Sequence, residues 1–213
     1  MSHIKRQETP KNWPIPRKGS KFIIKGDAKG IPLLVILRDI LKIAKNRKEV
    51  KKAIHEKNIL ICNKTAKDEK KSLKLLDTLT LIPLNKSYIL TFSESGKFAL
   101  EEINEKQSKE KISKIINKKI LKGKRTQLNL LDGRNFFSDI KCSVNDSVLI
   151  DLQKNKIEKC LPLKENSKVL IIGGKHAGER GLLKTINAQL RMAEIQIKEK
   201  ILNILIKQLM IIE

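Results

Sequence analysis

Positive charge in this chain is segregated along the sequence, and that segregation limits what the chain can fold into. Residues 1–30 hold 8 basic against 2 acidic side chains, 42–57 hold 7 against 2, 104–125 hold 9 against 2, and 166–213 hold 8 against 4. The stretches between them, 31–41, 58–103 and 126–165, carry net charges of 0, +1 and 0. Ionised side chains stay in water unless they are paired, so cores have to be built mainly from the neutral stretches and from apolar residues interleaved with the basic ones. With 213 residues, 40% of them hydrophobic, there is material for one sizeable core or for two to four small ones. The total of +23 makes the chain repel itself. An external polyanion is the economical explanation, and nucleic acid is the commonest.

The first thirty residues show no sustained period of 2 or 3.6, and Pro10, Pro14 and Pro16 exclude a helix across the middle. They read as an extended basic arm. Its one tryptophan, Trp13, sits among Lys11, Arg17 and Lys18, placed either to dock on its own protein or to stack on a base or sugar.

From Pro32 the pattern becomes helical, with Leu33, Leu37, Ile40, Leu41 and Ala44 at helical spacing. Asn46 is placed to cap a second helix over 47–55, in which Val50, Ala53 and Ile54 share one side while Lys48, Lys51, Lys52 and His55 lie opposite, with Arg47 between. Solvated helices usually mix charge signs. Glu49 is the only acid in this one, so the basic side is a candidate RNA or DNA contact. Strands are predicted over 59–62 and 76–82, and a hairpin over 88–103 turning at Ser93–Gly96.

A lysine-rich connection is predicted over 104–113, then a strand over 115–121 and a second hairpin turning at Asp132-Gly133. Further strands are predicted at 147–152 and 157–163, so this region reads as all β with a basic loop at one end. The last region reads as a small barrel: a strand over 168–172, a Gly-rich basic loop over 173–181, a strand over 182–186, and strands again beyond Met192, where Ile195, Ile197, Ile204 and Ile206 alternate. The fold class expected is α+β and multi-domain. The boundaries are an arm over 1–30, a two-helix unit with a small sheet over 31–92, a central β domain over 93–165, and a barrel over 166–213.

Several chemistries are excluded. Cys62, Cys142 and Cys160 are far apart and form no C-x-x-C pair, so buried free thiols are expected rather than a disulfide framework or a zinc site. Gly173-Gly174-Lys175 lacks the earlier glycine and the following hydroxyl of a phosphate loop. His3, His55 and His176 have no suitably spaced partner for acid–base work. His176 remains open between a phosphate or sugar contact and plain solvent exposure. Leu131-Asp132-Gly133-Arg134 is compatible with the aspartate neighbourhood of pseudouridine synthases, but a tight Asp-Gly turn is the commoner meaning. With no signal-peptide core after Met1 and no unbroken apolar span, a soluble cytoplasmic protein is expected, with no cofactor, metal, membrane or small-molecule substrate.

In order along the chain stand Pro10 to Lys18, Ile31-Pro32-Leu33-Leu34-Val35-Ile36-Leu37-Arg38-Asp39, Asn117-Lys118 with Lys122-Gly123, Gln127 to Asn135, and Gly173-Gly174-Lys175-His176-Ala177-Gly178-Glu179. Together these resemble small-subunit ribosomal protein four of the archaeal and eukaryotic type, in its archaeal form. The resemblance implies an alpha-L type RNA-binding fold for the two-helix unit, a central β domain, and a KOW-type SH3-like barrel at the end. It also implies a structural, non-catalytic role in the small subunit, with small-subunit rRNA and neighbouring ribosomal proteins as partners. The rRNA-contacting candidates are Lys5, Arg6, Lys11, Trp13, Arg17 and Lys18 in the arm, and Arg47, Lys48, Lys51 and Lys52 on the helix. Lys118, Lys119, Lys122, Lys124, Arg125 and Arg134 follow in the centre, and Lys175, His176 and Arg180 in the last loop. A free RNA-binding regulator is the main alternative, and an RNA-modifying enzyme using Asp132 the lesser one.

Overall fold

The structure, a computed structural model, describes residues 3–27, 29–121, 125–138, 140–187, 189–197 and 200–212. The chain divides into two compact units, one of Met1–Thr91 with Lys97–Lys109 and the other of Phe92–Gly96 with Glu110–Glu213. Strands dominate both, and the helices are short.

In the first unit, strands β1 (His3–Lys5) and β2 (Phe22–Ile24) pair antiparallel. This closes the segment that reads as an extended arm into a folded loop. Two side chains account for the closure. Arg6 is buried and donates from its guanidinium to the Ser20 and Pro16 carbonyls at 2.8 and 3.0 Å and to the Ser20 hydroxyl at 2.7 Å. Trp13, only 4% exposed, donates its indole N–H to the Gly30 carbonyl at 3.1 Å. A glycine is required at position 30, because a Cβ there would lie 2.3 Å from the Leu73 carbonyl oxygen.

After β3 (Gly30–Pro32) comes α1 (Leu33–Val35), which widens into a π turn over Ile36–Ile40, where the Leu41 N–H reaches the Ile36 carbonyl at 2.9 Å. The helix stops short of Ala44 because Lys42 takes a left-handed backbone, φ 54°. The second helix, α2 (Arg47–His55), has the bounds its pattern predicts. The Glu49 carboxylate accepts the Lys45 N–H at 2.7 Å and the Asn46 N–H at 3.5 Å, satisfying donors just ahead of the first turn.

Strands β4 (Ile59–Ile61), β5 (Lys64–Thr65), β6 (Ser72–Lys74), β7 (Thr78–Leu81), β8 (Lys86–Phe92) and β9 (Phe98–Ile103) follow, then α3 (Glu105–Ser108). A five-stranded sheet runs in the order β5-β4-β7-β8-β9, and β3 pairs with β6. Ile31, Leu33, Ile36, Val50, Leu73, Leu79 and Leu90 are wholly buried.

The second unit holds two five-stranded sheets. Strands β10 (Glu110–Ile120), β11 (Thr126–Leu130), β12 (Asn135–Phe137), β13 (Ser147–Asp151) and β14 (Lys156–Leu161) lie in the order β12-β11-β10-β13-β14. The lysine-rich connection predicted over 104–113 is therefore a correction: α3 and the start of β10 occupy it. Lys111, with Ser113 and Ile115, and Lys114 on the opposite face of the strand are all buried, and both ammonium groups find partners inside. The region is likewise not purely β, since α3 lies in it.

Strands β15 (Lys168–Ile171), β16 (Arg180–Asn187), β17 (Met192–Ile197), β18 (Lys200–Leu205) and β19 (Leu209–Ile211) form the other sheet, in the order β18-β17-β16-β15-β19. It wraps a core of Val169, Ile171, Leu183, Ala193, Ile195, Ile204, Leu209 and Ile211. The two sheets are joined by polar contacts. Lys114 Nζ donates to the Ile206 and Leu209 carbonyls at 2.5 and 2.7 Å, and the Ile211 N–H donates to Ser147 Oγ at 3.0 Å. Burial pushes the Lys114 ammonium down to about 8. Cys62 and Cys142 are buried thiols, Cys62 donating to Asp77 Oδ1 at 3.1 Å, and Cys160 is a half-buried one.

Candidate nucleic-acid interface

Helix α2 is held by its apolar side. Val50 is wholly buried, Ala53 and Ile54 are half-buried, and Lys48, Lys51, Lys52 and His55 project from the exposed side. Lys52 lies 3.9 Å from Glu56, a loose surface pair that leaves the lysine side chain 79% exposed. The helix ends where Lys57 turns left-handed, φ 60°, so its side chain joins the same surface.

Alongside α2 runs the turn over 65–70. Its position is fixed by the start of α1, whose Leu33 and Leu34 N–H groups donate to the Lys71 and Glu69 carbonyls at 2.9 and 3.1 Å. Glu69 is thereby buried at 4% exposure, and its carboxylate takes the Arg47 guanidinium, with Nε at 2.8 Å and Nη2 also on Oε1. The hydrogen bond and the opposite charge push Arg47 above its ordinary value, so it stays charged. Between helix and turn lies a groove of about 800 Å³ lined by Arg47, Lys51, His55, Lys57, Lys67 and Lys70, among others. With Glu69 turned inward, the rim holds several cations and one exposed carboxylate, Asp68.

The pattern of the sequence identifies Arg47, Lys48, Lys51 and Lys52 but misses Lys57, Lys67 and Lys70. The last two stand in Lys67-Asp68-Glu69-Lys70, where signs cancel along the chain, and in space the inward turn of Glu69 leaves Asp68 as the one acid of the four on the surface.

The arm residues divide. Lys5, Lys11 and Lys18 are exposed, Lys5 at 3.9 Å from Glu8. Arg17 is exposed, but its Nη1 donates to the Gln7 and Thr9 carbonyls at 3.0 and 2.9 Å, so it braces the loop. Arg6 and Trp13 are internal, which corrects their place among the contact candidates: both are held by carbonyl groups of their own unit, and Trp13 docks rather than stacks.

In the centre, Lys119 and Arg125 are exposed, and Lys118 donates to the Cys142 carbonyl at 3.1 Å. Lys122 and Lys124 lie outside the described residues. Arg134 is half-buried beside Asp132, with Nε 3.6 Å from Oδ2, and the Asp132 side chain also accepts the Arg134 N–H at 3.0 Å across a turn in which Gly133 has φ 86°. In the last loop Lys175 and Arg180 are exposed, while His176 Nδ1 lies 3.1 Å from Glu179 Oε1.

The Asp132 side chain is 5% exposed and 2.7 Å from Lys111 Nζ. Burial pushes its carboxyl up, but the Lys111 charge and hydrogen bond, the Arg134 N–H and the Arg134 charge together outweigh this and hold it below the usual carboxylate range. A carboxylate buried and ion-paired in this way reads as a structural anion.

The model of the ribosomal family S4e matches residues 84–157. Small ribosomal subunit protein eS4 of Methanocella arvoryzae is 36% identical over 191 residues, covering 87% of this chain and 81% of that protein. The eS4 protein of Methanothermobacter thermautotrophicus is also 36% identical over 191 residues, covering 87% of this chain and 79% of its own. Among solved structures, the 30S ribosomal protein S4e from Thermoplasma acidophilum superposes with a TM-score of 0.74 at 23% identity, over 87% of this chain and 96% of that one, a likeness of fold. Shared sequence over most of both lengths, with the matching fold, settles the relationship: the chain belongs to the S4e family of ribosomal proteins.

Proposed function

We propose that this chain is a non-catalytic structural constituent of the cytoplasmic small ribosomal subunit, binding small-subunit rRNA through separated basic surfaces and contacting neighbouring ribosomal proteins. The observation that carries the reading is the lysine side of α2 and the cationic groove beside it, where the exposed Lys48, Lys51, Lys52, Lys57, Lys67 and Lys70 outnumber the neighbouring Glu56 and Asp68. Phosphate is the ligand such a surface fits, and the family supplies the rRNA context. In this reading residues 31–92 form an alpha-L type RNA-binding domain, 93–165 a central β domain, and 166–213 a KOW-type SH3-like barrel that offers Lys175, His176 and Arg180.

Lysines neutralise phosphates and release condensed counterions. With about six to ten contacts, affinity for small-subunit rRNA falls roughly 10³- to 10⁵-fold between 50 and 200 mM salt. Filter binding of the full chain across that range tests the reading, and an affinity indifferent to salt would overturn it.

A further inference from the structure

In the sheet β12-β11-β10, one face carries the buried Leu128 and Phe136 together with the exposed Lys118 and Ile120, and the other faces water. Cross-strand register places Lys118, Leu128 and Phe136 on the inner face, where Leu128 and Phe136 are buried. The alternate residues form two rows on the outer face: Asn117, Asn129 and Asn135 in one, and Lys119, Gln127 and Phe137 in the other. Phe137 is 68% exposed. The face thus holds four amides, one ammonium and one aromatic ring, with no carboxylate among the six.

A single exposed phenylalanine is ordinary on a protein surface. Its company here is not that of a protein-docking patch, whose centre is apolar and depleted in charge. Amide side chains carry a donor and an acceptor side by side, the pairing that matches base edges, and Gln127 Nε2 already donates to Asn129 Oδ1 at 2.9 Å, fixing the orientation of both. An open ring face stacks a base only where that base is unpaired, because bases inside an A-form duplex are stacked on one another. Lys119 and Phe137 sit two strand spacings apart, about 9–10 Å, so a nucleotide stacked on the ring has a phosphate within reach of the long lysine side chain.

We propose that this outer face is a platform for unpaired RNA nucleotides: Phe137 stacks a base, the Asn117–Asn129–Asn135 row and Gln127 meet base or sugar edges, and Lys119 holds a phosphate. The proposal rests on the reading of the chain as an rRNA-binding protein and adds the form of RNA recognised and the residues that recognise it.

The test uses the full chain and a short single-stranded RNA carrying 2-aminopurine, followed by anisotropy and 2-aminopurine fluorescence, with a duplex of the same sequence as competitor. Phe137→Ala is expected to weaken single-strand binding roughly 5- to 150-fold and to abolish the stacking quench, while its thermal transition stays in place and Phe137→Tyr keeps both binding and quench. The duplex should compete poorly. Wild-type affinity and quench in Phe137→Ala would overturn the platform. So would unchanged RNA binding with lost incorporation into subunits, which would assign the face to a protein neighbour. The two readings fail separately. If the wild-type chain binds no small-subunit rRNA, the rRNA reading fails. If it binds and Phe137→Ala is indistinguishable from it, only the platform fails.

Discussion

Lys111 and Asp132 meet at 2.7 Å with side chains 1% and 5% exposed, a buried ion pair joining β10 to the turn between β11 and β12. Two charges taken out of water are costly unless paired, and here each meets the other's charge at hydrogen-bond distance.

Removing one partner is therefore costly. Asp132→Ala should destabilise the protein by about 3–5 kcal/mol by removing the carboxylate that meets the buried Lys111 ammonium, whereas Lys111→Met with Asp132→Leu should recover much of that loss. Urea unfolding of the three variants checks this. Equal destabilisation by the single and double variants would contradict the pairing.

The same pair sets an acid response. Because the folded Asp132 carboxyl lies below its ordinary value, its contribution is complete above the unfolded value and is lost as pH falls through the folded one. Stability should decline at acid pH more steeply in the wild type than in the apolar double variant, as read from urea midpoints.

Lys114 works in the opposite range. Its folded value of about 8 is below the ordinary lysine value, so between the two the unfolded chain holds a proton that the folded chain has released. Stability should therefore rise with pH from about 8 towards 10, and Lys114→Met should flatten that rise. A wild-type midpoint that falls with pH over this window, relative to Lys114→Met, would contradict the burial of this ammonium.

Trp13 anchors the N-terminal loop. Trp13→Ala should cost about 3–5 kcal/mol through lost packing, and Trp13→Phe clearly less, about 1 kcal/mol of it from the lost hydrogen bond to the Gly30 carbonyl. The native fluorescence of this single tryptophan should be blue-shifted and poorly quenched by iodide. Ready quenching would mean that the ring is available for stacking after all.

Lys48→Glu with Lys52→Glu should weaken rRNA binding and reduce the slope of log affinity against log salt by about 2, one for each phosphate-contacting lysine, while leaving the thermal transition unchanged. Unfolding of this variant would contradict the exposed placement of both residues.

What could be read from the sequence follows from how local each cause is. Helix α2 is legible because its period, its cap at Asn46 and its charge all lie within ten residues. The Asp132-Gly133 hairpin is legible because the turn needs a positive φ, which glycine supplies. The closure of the N-terminal loop is not, since Arg6 finds its acceptors 10 and 14 residues away and Trp13 its acceptor 17 residues away. Lys111 and Lys114 read as surface charge because a lysine's burial depends on distant partners: Asp132 for one, the Ile206 and Leu209 carbonyls for the other. The same holds for the groove, where Lys67 and Lys70 become a cationic rim because the start of α1 and Arg47 together hold Glu69 inward.

The central claim is residence in the small ribosomal subunit through charge. Sucrose-gradient sedimentation of the native protein from lysate, at low and then at high salt, addresses it. The chain should travel with small subunits at low salt and be released to the top of the gradient as salt rises. A chain that stays at the top at low salt would contradict the claim and favour a free RNA-binding regulator.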